Sequence, residues 1–294
     1  MPDPATIALA RRERRLPHAL ALVLLSLLAS GIVADDPFPN LKETNPDGSL
    51  IYCALGKEGV GKGKNCELIV RLPEALKVAR TRSPVCRTAG KHGVVVDVGA
   101  RGGAQTQMAL DQNFSVVAVD CQQSEFVRLV QMFGGNEDVI LVNACANKAG
   151  EYGFKDLYQA SGSSSMSRSN IMDHGERRKV EQRRKVTVLS TPLDPYVLSL
   201  GKPVCGIKVD VQGLEGAVLD GLSETIAKWR PVVHMEYDSR WRFTNSSGAV
   251  QDMLARGYSC KPKACKICDM VCWPHEETLA GLTAHRLKGY RRAG

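Results

Sequence analysis

Aromatic residues are scarce in this chain of 294 residues, since phenylalanine, tryptophan and tyrosine together make up 5% of it. The formal net charge of +8 permits acidic partners, but no stretch interleaves basic with aromatic residues as nucleic-acid-reading surfaces do. The sequence contains no internal repeat, and no cluster of His, Asp and Glu has a clear metal-ligand spacing. These absences argue against a nucleic-acid reader and a repeat architecture, and they offer no support for a metal site.

A long hydrophobic run stands near the N-terminus. Arg11-Arg-Glu-Arg-Arg15 forms a basic flank, residues 16–34 are largely apolar, and Asp35-Asp36 restores polarity. A basic flank before an apolar run is typical of a secretory signal, while a membrane span needs about 20 such residues. Ala29-Ser30-Gly31 would make a tolerable cleavage site. We therefore expect a cleaved signal or, with slight preference, an uncleaved anchor, and a luminal or extracellular location for the rest of the chain.

Ten cysteines agree with an oxidising compartment. Near the C-terminus the spacing of four of them suits either zinc or two disulfides, and a luminal location favours disulfides: Cys260, Cys265, Cys268 and Cys272. Three others fall in predicted strands or at strand ends, where we expect packed thiols: Cys121, Cys145 and Cys205. Two glycosylation sequons begin at Asn113 and Asn245.

Apolar runs alternate with amphipathic stretches through the middle of the chain, which predicts an α/β fold with a doubly wound, mostly parallel sheet. The strands are expected at 94–98, 115–120, 139–142, 185–189, 205–210 and 232–237, and the helices at 67–82, 124–133, 214–228 and 247–256. The predicted organisation is a tail and signal or anchor at 1–34, a stem at 35–66, a main domain at 67–258 and a Cys-rich extension at 259–294.

The segment from Gly93 to Gly103 reads Gly-Val-Val-Val-Asp-Val-Gly-Ala-Arg-Gly-Gly, and a second run ends at Asp120. This strand, turn, helix, strand and acid form the layout of a nucleoside-binding unit, in which the second acid holds the ribose hydroxyls. The turn lacks the Gly-x-Gly-x-x-Gly spacing, and Asp97 would repel a pyrophosphate. A carboxylate at this position would instead suit S-adenosylmethionine, which carries an ammonium and a sulfonium group.

Serine, glycine and basic residues dominate the segment between Ser161 and Lys185, which contains Ser161-Gly-Ser-Ser-Ser165 and two basic triplets. Such a composition is typical of a mobile, solvated loop. The functional alternative is a lid over the site, basic enough to hold an acidic substrate such as a uronate or a sulfated glycan.

The stretch Ile207–Glu215 reads Ile-Lys-Val-Asp-Val-Gln-Gly-Leu-Glu and is followed by Val218-Leu-Asp-Gly221. It is similar to the hallmark Ile-Lys-Ile-Asp-Val-Glu-Gly-x-Glu of the FkbM family of S-adenosylmethionine-dependent methyltransferases. Further segments match the family's pattern: Val96–Ala100, Val117–Asp120, Val142–Ala144, Gly162–Ser165, Val186–Leu189 and Leu193-Asp194. The resemblance covers roughly residues 90 to 260.

The resemblance implies a class I methyltransferase fold that transfers methyl to an oxygen, commonly of a sugar or another small metabolite. By position, Asp97 would contact the amino group of the methionine moiety, and Asp120 would take the ribose hydroxyls. The backbone would approach the cofactor at Gly99, Ala100 and Gly102, and the adenine would lie near Asn143 and Ala144. Such sites lie beyond the carboxyl ends of the strands.

Three departures from the family's pattern are Gln212 for glutamate, Arg101 for asparagine, and Asp120-Cys121 for Glu-Pro. An aspartate still offers two acceptors to a ribose. The glutamine removes a charge beside the reaction centre, and if the family's glutamate is a base or a metal ligand, this chain would be impaired.

A general base should help a hydroxyl attack, and Asp210 is the first candidate because it ends the fourth strand. Glu236, at the end of the fifth strand, is the second candidate. Asp210 could instead cap the next helix, and a divalent ion between the two acids has no support. His234 is expected to be a packed residue, and Lys208 could form an ion pair or act in the site.

The sequence therefore predicts a secretory-pathway O-methyltransferase that acts on a glycan or small hydroxylated acceptor, an acidic one included. One alternative is a luminal binding protein that keeps the fold without catalysis, as Gln212 would allow. The other is a nicotinamide-dependent oxidoreductase, which Asp97 disfavours. The oligomeric state is left open.

Overall fold

The computed structural model describes residues 51–52, 54–55, 61–62, 72–160, 163–166, 184–238, 246–261 and 265–275. The helices are α1 (Leu72–Arg82), α2 (Pro84–Ala89), α3 (Ala104–Asp111), α4 (Gln123–Phe133), α5 (Asp194–Ser199), α6 (Glu215–Asp220), α7 (Ser223–Trp229) and α8 (Ser246–Ala255). None of these helices is long and apolar enough to cross a bilayer. The predicted signal or anchor segment lies outside the described residues.

The strands are β1 (Ile51–Tyr52), β2 (Ala54–Leu55), β3 (Gly61–Lys62), β4 (Val94–Val98), β5 (Ser115–Val119), β6 (Val139–Val142), β7 (Cys145–Ala146), β8 (Gly153–Ala160), β9 (Ser163–Ser165), β10 (Arg184–Thr191), β11 (Val204–Val209), β12 (Val232–Asp238), β13 (Tyr258–Lys261) and β14 (Cys265–Pro274). The main sheet has the order β1-β14-β12-β11-β4-β5-β6, with β13 paired to β14. From β12 to β6 all neighbouring strands are parallel, whereas β14 runs antiparallel to β12. The predicted α/β fold with a mostly parallel sheet is confirmed.

Helices cover both faces of this sheet. One apolar cluster joins α1, α3 and α4 to the sheet, and the other joins α5, α6, α7 and α8 to its opposite face. Strands β4 and β5 are buried along their whole length, which accounts for their continuous runs of apolar residues. The layered arrangement leaves the carboxyl ends of the parallel strands as the edge at which a site can form.

The helix predicted over 214–228 is divided into α6 and α7 at Gly221. A Cβ atom on Gly221 would lie 1.9 Å from the carbonyl oxygen of Asn147, so the chain must pass close to that backbone here. Helix α7 then starts anew, because Asp194 accepts hydrogen bonds from the backbone N–H groups of Glu224 at 2.8 Å and Thr225 at 2.9 Å. Helical periodicity alone does not reveal this break.

A second sheet has the order β7-β10-β8-β9, and its first strand in the chain, β7, comes directly after β6. Strands β8 and β10 form a long antiparallel pair, and β9 pairs with β8. The segment predicted as a loop or lid therefore contributes β9 and the start of β10 to this sheet. Residues 161–162 and 167–183 of that segment lie outside the described part of the chain.

The Cys-rich segment, expected as an extension outside the main domain, supplies β13 and β14 to the main sheet. Alternation explains its place: Met270 and Cys272 pack into one apolar cluster, whereas Val271 and Trp273 pack into the other. Each face of β14 thus buries apolar side chains, as expected for a strand covered on both sides.

Disulfides join Cys86 to Cys205, Cys121 to Cys145 and Cys260 to Cys272, and Cys268 is also disulfide-bonded. The expectation of packed thiols at Cys121, Cys145 and Cys205 is wrong. The fold brings the Cα atoms of Cys86 and Cys205 to 5.6 Å and those of Cys121 and Cys145 to 4.7 Å, within the range that a disulfide spans. The disulfide alternative for the C-terminal cysteines agrees with the bonds of Cys260, Cys268 and Cys272.

Candidate active site

A row of polar side chains crosses the centre of the main sheet, one residue before the ends of β4 and β11 and near the start of β12. Lys208 on β11 is the register partner of Asp97 on β4 and of His234 on β12. Asp97 is 0% exposed, Lys208 4% and His234 6%. His234 is thus the packed residue that the sequence predicted. Asp97 and Lys208 are buried charged groups, and they form an ion pair, as buried charges require a partner.

The ammonium group of Lys208 contacts three parts of the site. It lies 3.4 Å from Asp97 Oδ1 and 3.9 Å from Asp210 Oδ2, and it donates a 2.9 Å hydrogen bond to the carbonyl of Gly99. Burial by itself would lower the pKa of Lys208, but the carboxylates of Asp97 and Asp210 outweigh it and raise this pKa above its ordinary value. Lys208 is therefore a permanent cation that joins the turn after β4 to the end of β11.

The carboxylate of Asp97 contacts buried groups of the protein itself. Oδ2 accepts a 2.7 Å hydrogen bond from Thr106 Oγ1 on α3, and Oδ1 faces Lys208. Because Oδ2 is hydrogen-bonded to Thr106 and Oδ1 is held by the ion pair with Lys208 without accepting a hydrogen bond, Asp97 links α3 and β11 to the turn. Its assignment to the ammonium group of a cofactor stays a prediction.

The turn after β4 has three glycines in the left-handed region, Gly99, Gly102 and Gly103. Gly99 has a φ of +76°, and a Cβ atom there would lie 1.9 Å from the carbonyl oxygen of Asp210. The N–H groups of Gly99 and Ala100 donate to the carbonyl of Val119 at 2.9 and 3.1 Å, which fixes the turn against β5. Gly102 has a φ of +67° with open space beside it, so its backbone is accessible to a ligand.

Asp120 directly follows β5, and its Oδ1 accepts a 2.8 Å hydrogen bond from the backbone N–H of Gln122. Burial, assisted by the charges of Glu125 and Asp97, raises the pKa of Asp120 to about 6 despite this hydrogen bond and the charge of Lys208. Such a carboxyl gains most from a ligand that donates hydrogen bonds to it, as ribose hydroxyls do.

The predicted adenine-side residues follow the neighbouring strand β6, where Asn143 is exposed and Ala144 is buried. The disulfide between Cys121 and Cys145 joins the residue after Asp120 to the residue after Ala144. It thereby fixes the two predicted cofactor segments to each other. The sequence contained both cysteines, but nothing in their spacing indicated this pairing.

Asp210 and Glu236, the two candidate bases, are brought together at the ends of β11 and β12. The side-chain nitrogen of Gln212 donates to Asp210 Oδ1 and to Glu236 Oε2, each at 2.9 Å. The side chain of Asp210 is 35% exposed. Burial, followed by the charges of Asp210, Glu215 and Asp269, raises the pKa of Glu236 well above its ordinary value. Both the burial and the neighbouring acids thus favour the protonated form of Glu236 over what an exposed glutamate would show.

Asp210 does not cap helix α6, which was the alternative role for this residue. Helix α6 begins at Glu215 without a side-chain cap. The turn before it is instead closed by Glu215, whose Oε1 accepts hydrogen bonds from the N–H groups of Gly213 at 3.0 Å and Val211 at 3.4 Å. Asp210 is left to face Gln212 and Lys208.

Two further acids of the site were missed in the sequence analysis. Burial raises the pKa of Glu215 to about 7, although its backbone hydrogen bonds oppose the shift. Asp269 on β14 is the register partner of Glu236, and burial raises its pKa, opposed by His234 and assisted by Asp210. Glu215 stands inside the quoted motif and could have been found there, whereas Asp269 required the antiparallel placement of β14.

No group of three or more His, Cys, Asp or Glu side chains in the described ranges has a metal-binding arrangement. The alternative of a divalent ion between Asp210 and Glu236 therefore gains no support from this part of the chain. The site consists of carboxyl groups, one amide and one buried ammonium group.

Among solved structures, an FkbM methyltransferase from Methylobacillus flagellatus KT shares 11% identity, with a TM-score of 0.41. The match covers 62% of this chain and 44% of that protein, so this chain spans less than half of its length. A fibrillarin from Aeropyrum pernix, solved with natively bound S-adenosyl-L-methionine, shares 9% identity over 67% of this chain and 73% of its own, with a TM-score of 0.37.

An rRNA methylase from Streptococcus thermophilus shares 11% identity over 70% of this chain and 98% of its own, with a TM-score of 0.39. None of the curated proteins that were compared matches the chain. The family described as the methyltransferase FkbM domain matches residues 97–260, which is more than half of the 294 residues. The match includes the glycine turn, Asp120, Lys208 and the pair of acids that Gln212 bridges. The chain belongs to the FkbM methyltransferase family.

Proposed function

We propose that this protein is an S-adenosylmethionine-dependent O-methyltransferase of the secretory pathway that methylates a hydroxyl group of a glycan or small metabolite. The observation that carries the proposal is the meeting of three features at one edge of the sheet in a chain of this family. They are the glycine turn after β4, Asp120 after β5, and Asp210 after β11 bridged to Glu236 near the end of β12. Membership of the family supplies the methyltransferase class, and the geometry supports the roles proposed below.

The residues at this edge fit a cofactor that is cationic and carries no phosphate. Gly102 offers open backbone, and Asp120 offers an acceptor for ribose hydroxyls. Asn143 and Ala144 would border the adenine. The carboxyl groups of Asp120, Asp210 and Glu236 lie at this edge of the sheet and are negative or can become negative. A pyrophosphate would be repelled here, which disfavours the nicotinamide alternative.

Bound S-adenosylmethionine supplies a methyl carbon that is activated by a positively charged sulfur. The protein's part is to position the acceptor hydroxyl and to receive its proton. Asp210 suits the second task, since it is partly exposed and lies beside Lys208. Burial and then the charge of Asp210 raise the pKa of Glu236, so Glu236 is the weaker candidate for the base. A base of this kind contributes a factor of about 10²–10⁴ to the rate.

Three observations support the secretory part of the proposal. The described residues contain disulfides between Cys86 and Cys205, Cys121 and Cys145, and Cys260 and Cys272, and such bonds persist in oxidising compartments. The basic flank and apolar run at the N-terminus are typical of a targeting signal. The sequon at Asn113 lies on an exposed turn, where a glycan can be attached.

The proposal is tested by expressing the full chain in a secretory host and incubating it with S-adenosylmethionine labelled in the methyl group and with fractionated glycans. We expect label in a glycan fraction and formation of S-adenosylhomocysteine. Asp210→Asn should abolish transfer and keep cofactor binding, whereas Asp252→Asn, an exposed acid on α8 that pairs with Arg256, should leave both unchanged. Cofactor binding without transfer to any acceptor would favour the binding-protein alternative, and binding of NAD alone would favour the oxidoreductase.

A further inference from the structure

Gln212 occupies an unusual place between the two acids of the site. Its φ of +56° lies in the left-handed region, which a residue with a side chain seldom adopts. This backbone turn directs the half-buried side chain back over the ends of β11 and β12. There one amide nitrogen lies 2.9 Å from Asp210 Oδ1 and 2.9 Å from Glu236 Oε2. Because carboxylate oxygens accept hydrogen bonds, the amide must present its N–H groups to them.

The surroundings of this bridge are mostly acidic. Glu215 on α6 and Asp269 on β14 act on Glu236, and Lys208 on β11 pairs with Asp210. The neighbours of these groups are Asp97 on β4, which acts on Lys208, and His234 on β12, which acts on Asp269. The ammonium group of Lys208 is 3.9 Å from Asp210 Oδ2, but it also forms an ion pair with Asp97 Oδ1 at 3.4 Å. Two carboxyl groups that share so little positive charge need hydrogen-bond donors if one of them is to stay ionised.

Resting on the proposed function, we propose that Gln212 is a positioning residue whose two N–H groups hold Asp210 and Glu236 together, so that one carboxylate remains ionised to receive the acceptor's proton. The related family motif has a glutamate at this position, which would bring a third carboxyl group and no such donors. The glutamine of this chain is then a working substitute and not the mark of a lost activity.

The titration of Glu236 tests this inference without any ligand. The full chain is labelled with ¹³C at the glutamate carboxyl carbons, and the Glu236 signal is identified by its loss in Glu236→Gln. We expect the midpoint to rise by about one pH unit in Gln212→Ala, which removes the donors, and by more in Gln212→Glu, which adds a charge. Gln107→Ala, on the exposed face of α3, is the control and should leave the midpoint unchanged.

A rise in both Gln212 variants, larger for glutamate, supports the inference. A midpoint equal to or below that of the unaltered chain in either variant overturns it. The pH profile of kcat for methyl transfer should follow the titration, with its acidic limb moved in the same direction, and a profile that stays in place also overturns the inference. If the unaltered chain transfers no methyl group, the proposed function fails, while the titration still decides whether Gln212 controls the protonation of the pair.

Discussion

Lys208 donates a 2.9 Å hydrogen bond from its ammonium group to the carbonyl oxygen of Gly99, across the boundary between β11 and β4. The same ammonium group lies between Asp97 and Asp210. The glycine turn on one strand and the candidate base on the next are therefore held by one buried cation. A substitution of Lys208 should therefore lower the stability of the fold and also change the geometry of the site.

Replacement of Lys208 by methionine keeps the apolar stem and removes the charge, which leaves Asp97 buried and uncompensated. We expect the free energy of unfolding to fall by about 3–5 kcal/mol, as when one partner of a buried pair is lost. Urea denaturation measures the loss. The matched control is Lys155→Met on β8, whose ion pair with Glu151 is half-exposed and should contribute less than about 1 kcal/mol. Equal losses in the two variants would show that the buried pair has no special weight.

Gly99→Ala places a methyl group where the carbonyl of Asp210 stands and also requires a left-handed backbone at alanine. The turn must shift, so we expect affinity for S-adenosylmethionine to fall at least about tenfold. Gly135→Ala is the control, because open space surrounds Gly135 and its φ is not positive. Equilibrium dialysis compares the two variants. An unaltered affinity in Gly99→Ala would remove this turn from the cofactor site.

Asp120 should make cofactor affinity depend on pH. Its pKa of about 6 in the free protein means that it is mostly protonated at pH 5 and mostly ionised at pH 7. If ribose hydroxyls bind the ionised form, the affinity for S-adenosylmethionine rises by about tenfold between these two values. Asp120→Asn should bind more weakly at pH 7 and show a flatter profile. The same steep profile in the asparagine variant would assign the titration to another group.

Much of this arrangement follows from the sequence in physical terms. Three consecutive valines followed by Asp97 and Val98 predicted β4 with its observed bounds, Val94–Val98, because a strand covered on both faces needs no polar alternation. The motif around Asp210 indicated the family and the edge of the sheet at which the acids lie. These features depend on residues close together in the chain, where local patterns carry information.

The remainder depends on register and on distant pairings. The register of β4 with β11 places Lys208 opposite Asp97, and the register of β12 with β14 places Glu236 opposite Asp269. Neither alignment can be read from the sequence alone. The bond between Cys86 and Cys205 spans 119 residues of chain. Nothing in the spacing of cysteines distinguishes it from other pairings. The bridging role of Gln212 likewise requires the left-handed turn that only the structure displays.

Glu215 should make stability depend on pH. Burial raises its pKa from 4.5 to about 7, so between these values the folded chain binds more protons than the unfolded chain. Its contribution to stability is therefore fully present below pH 4.5 and is lost as the pH rises through 7, by about 3 kcal/mol in all. Glu215→Gln keeps an oxygen for Gly213 and should remove this loss.

Urea unfolding at pH 5 and pH 8 measures the difference for Glu215→Gln and for the control Glu137→Gln, which lies on an exposed turn before β6. We expect the stability difference between the two pH values to shrink in the first variant and to persist in the second. A persistent difference in Glu215→Gln would place the titrating group elsewhere.

The central claim, that this edge of the sheet binds S-adenosylmethionine, is tested most directly by equilibrium dialysis of the full chain against the radiolabelled cofactor at pH 7.5. The account predicts saturable binding of one equivalent, competed by S-adenosylhomocysteine and weakened at least about tenfold in Gly99→Ala but not in Gly135→Ala. Absence of saturable binding by the folded, unaltered chain would contradict it.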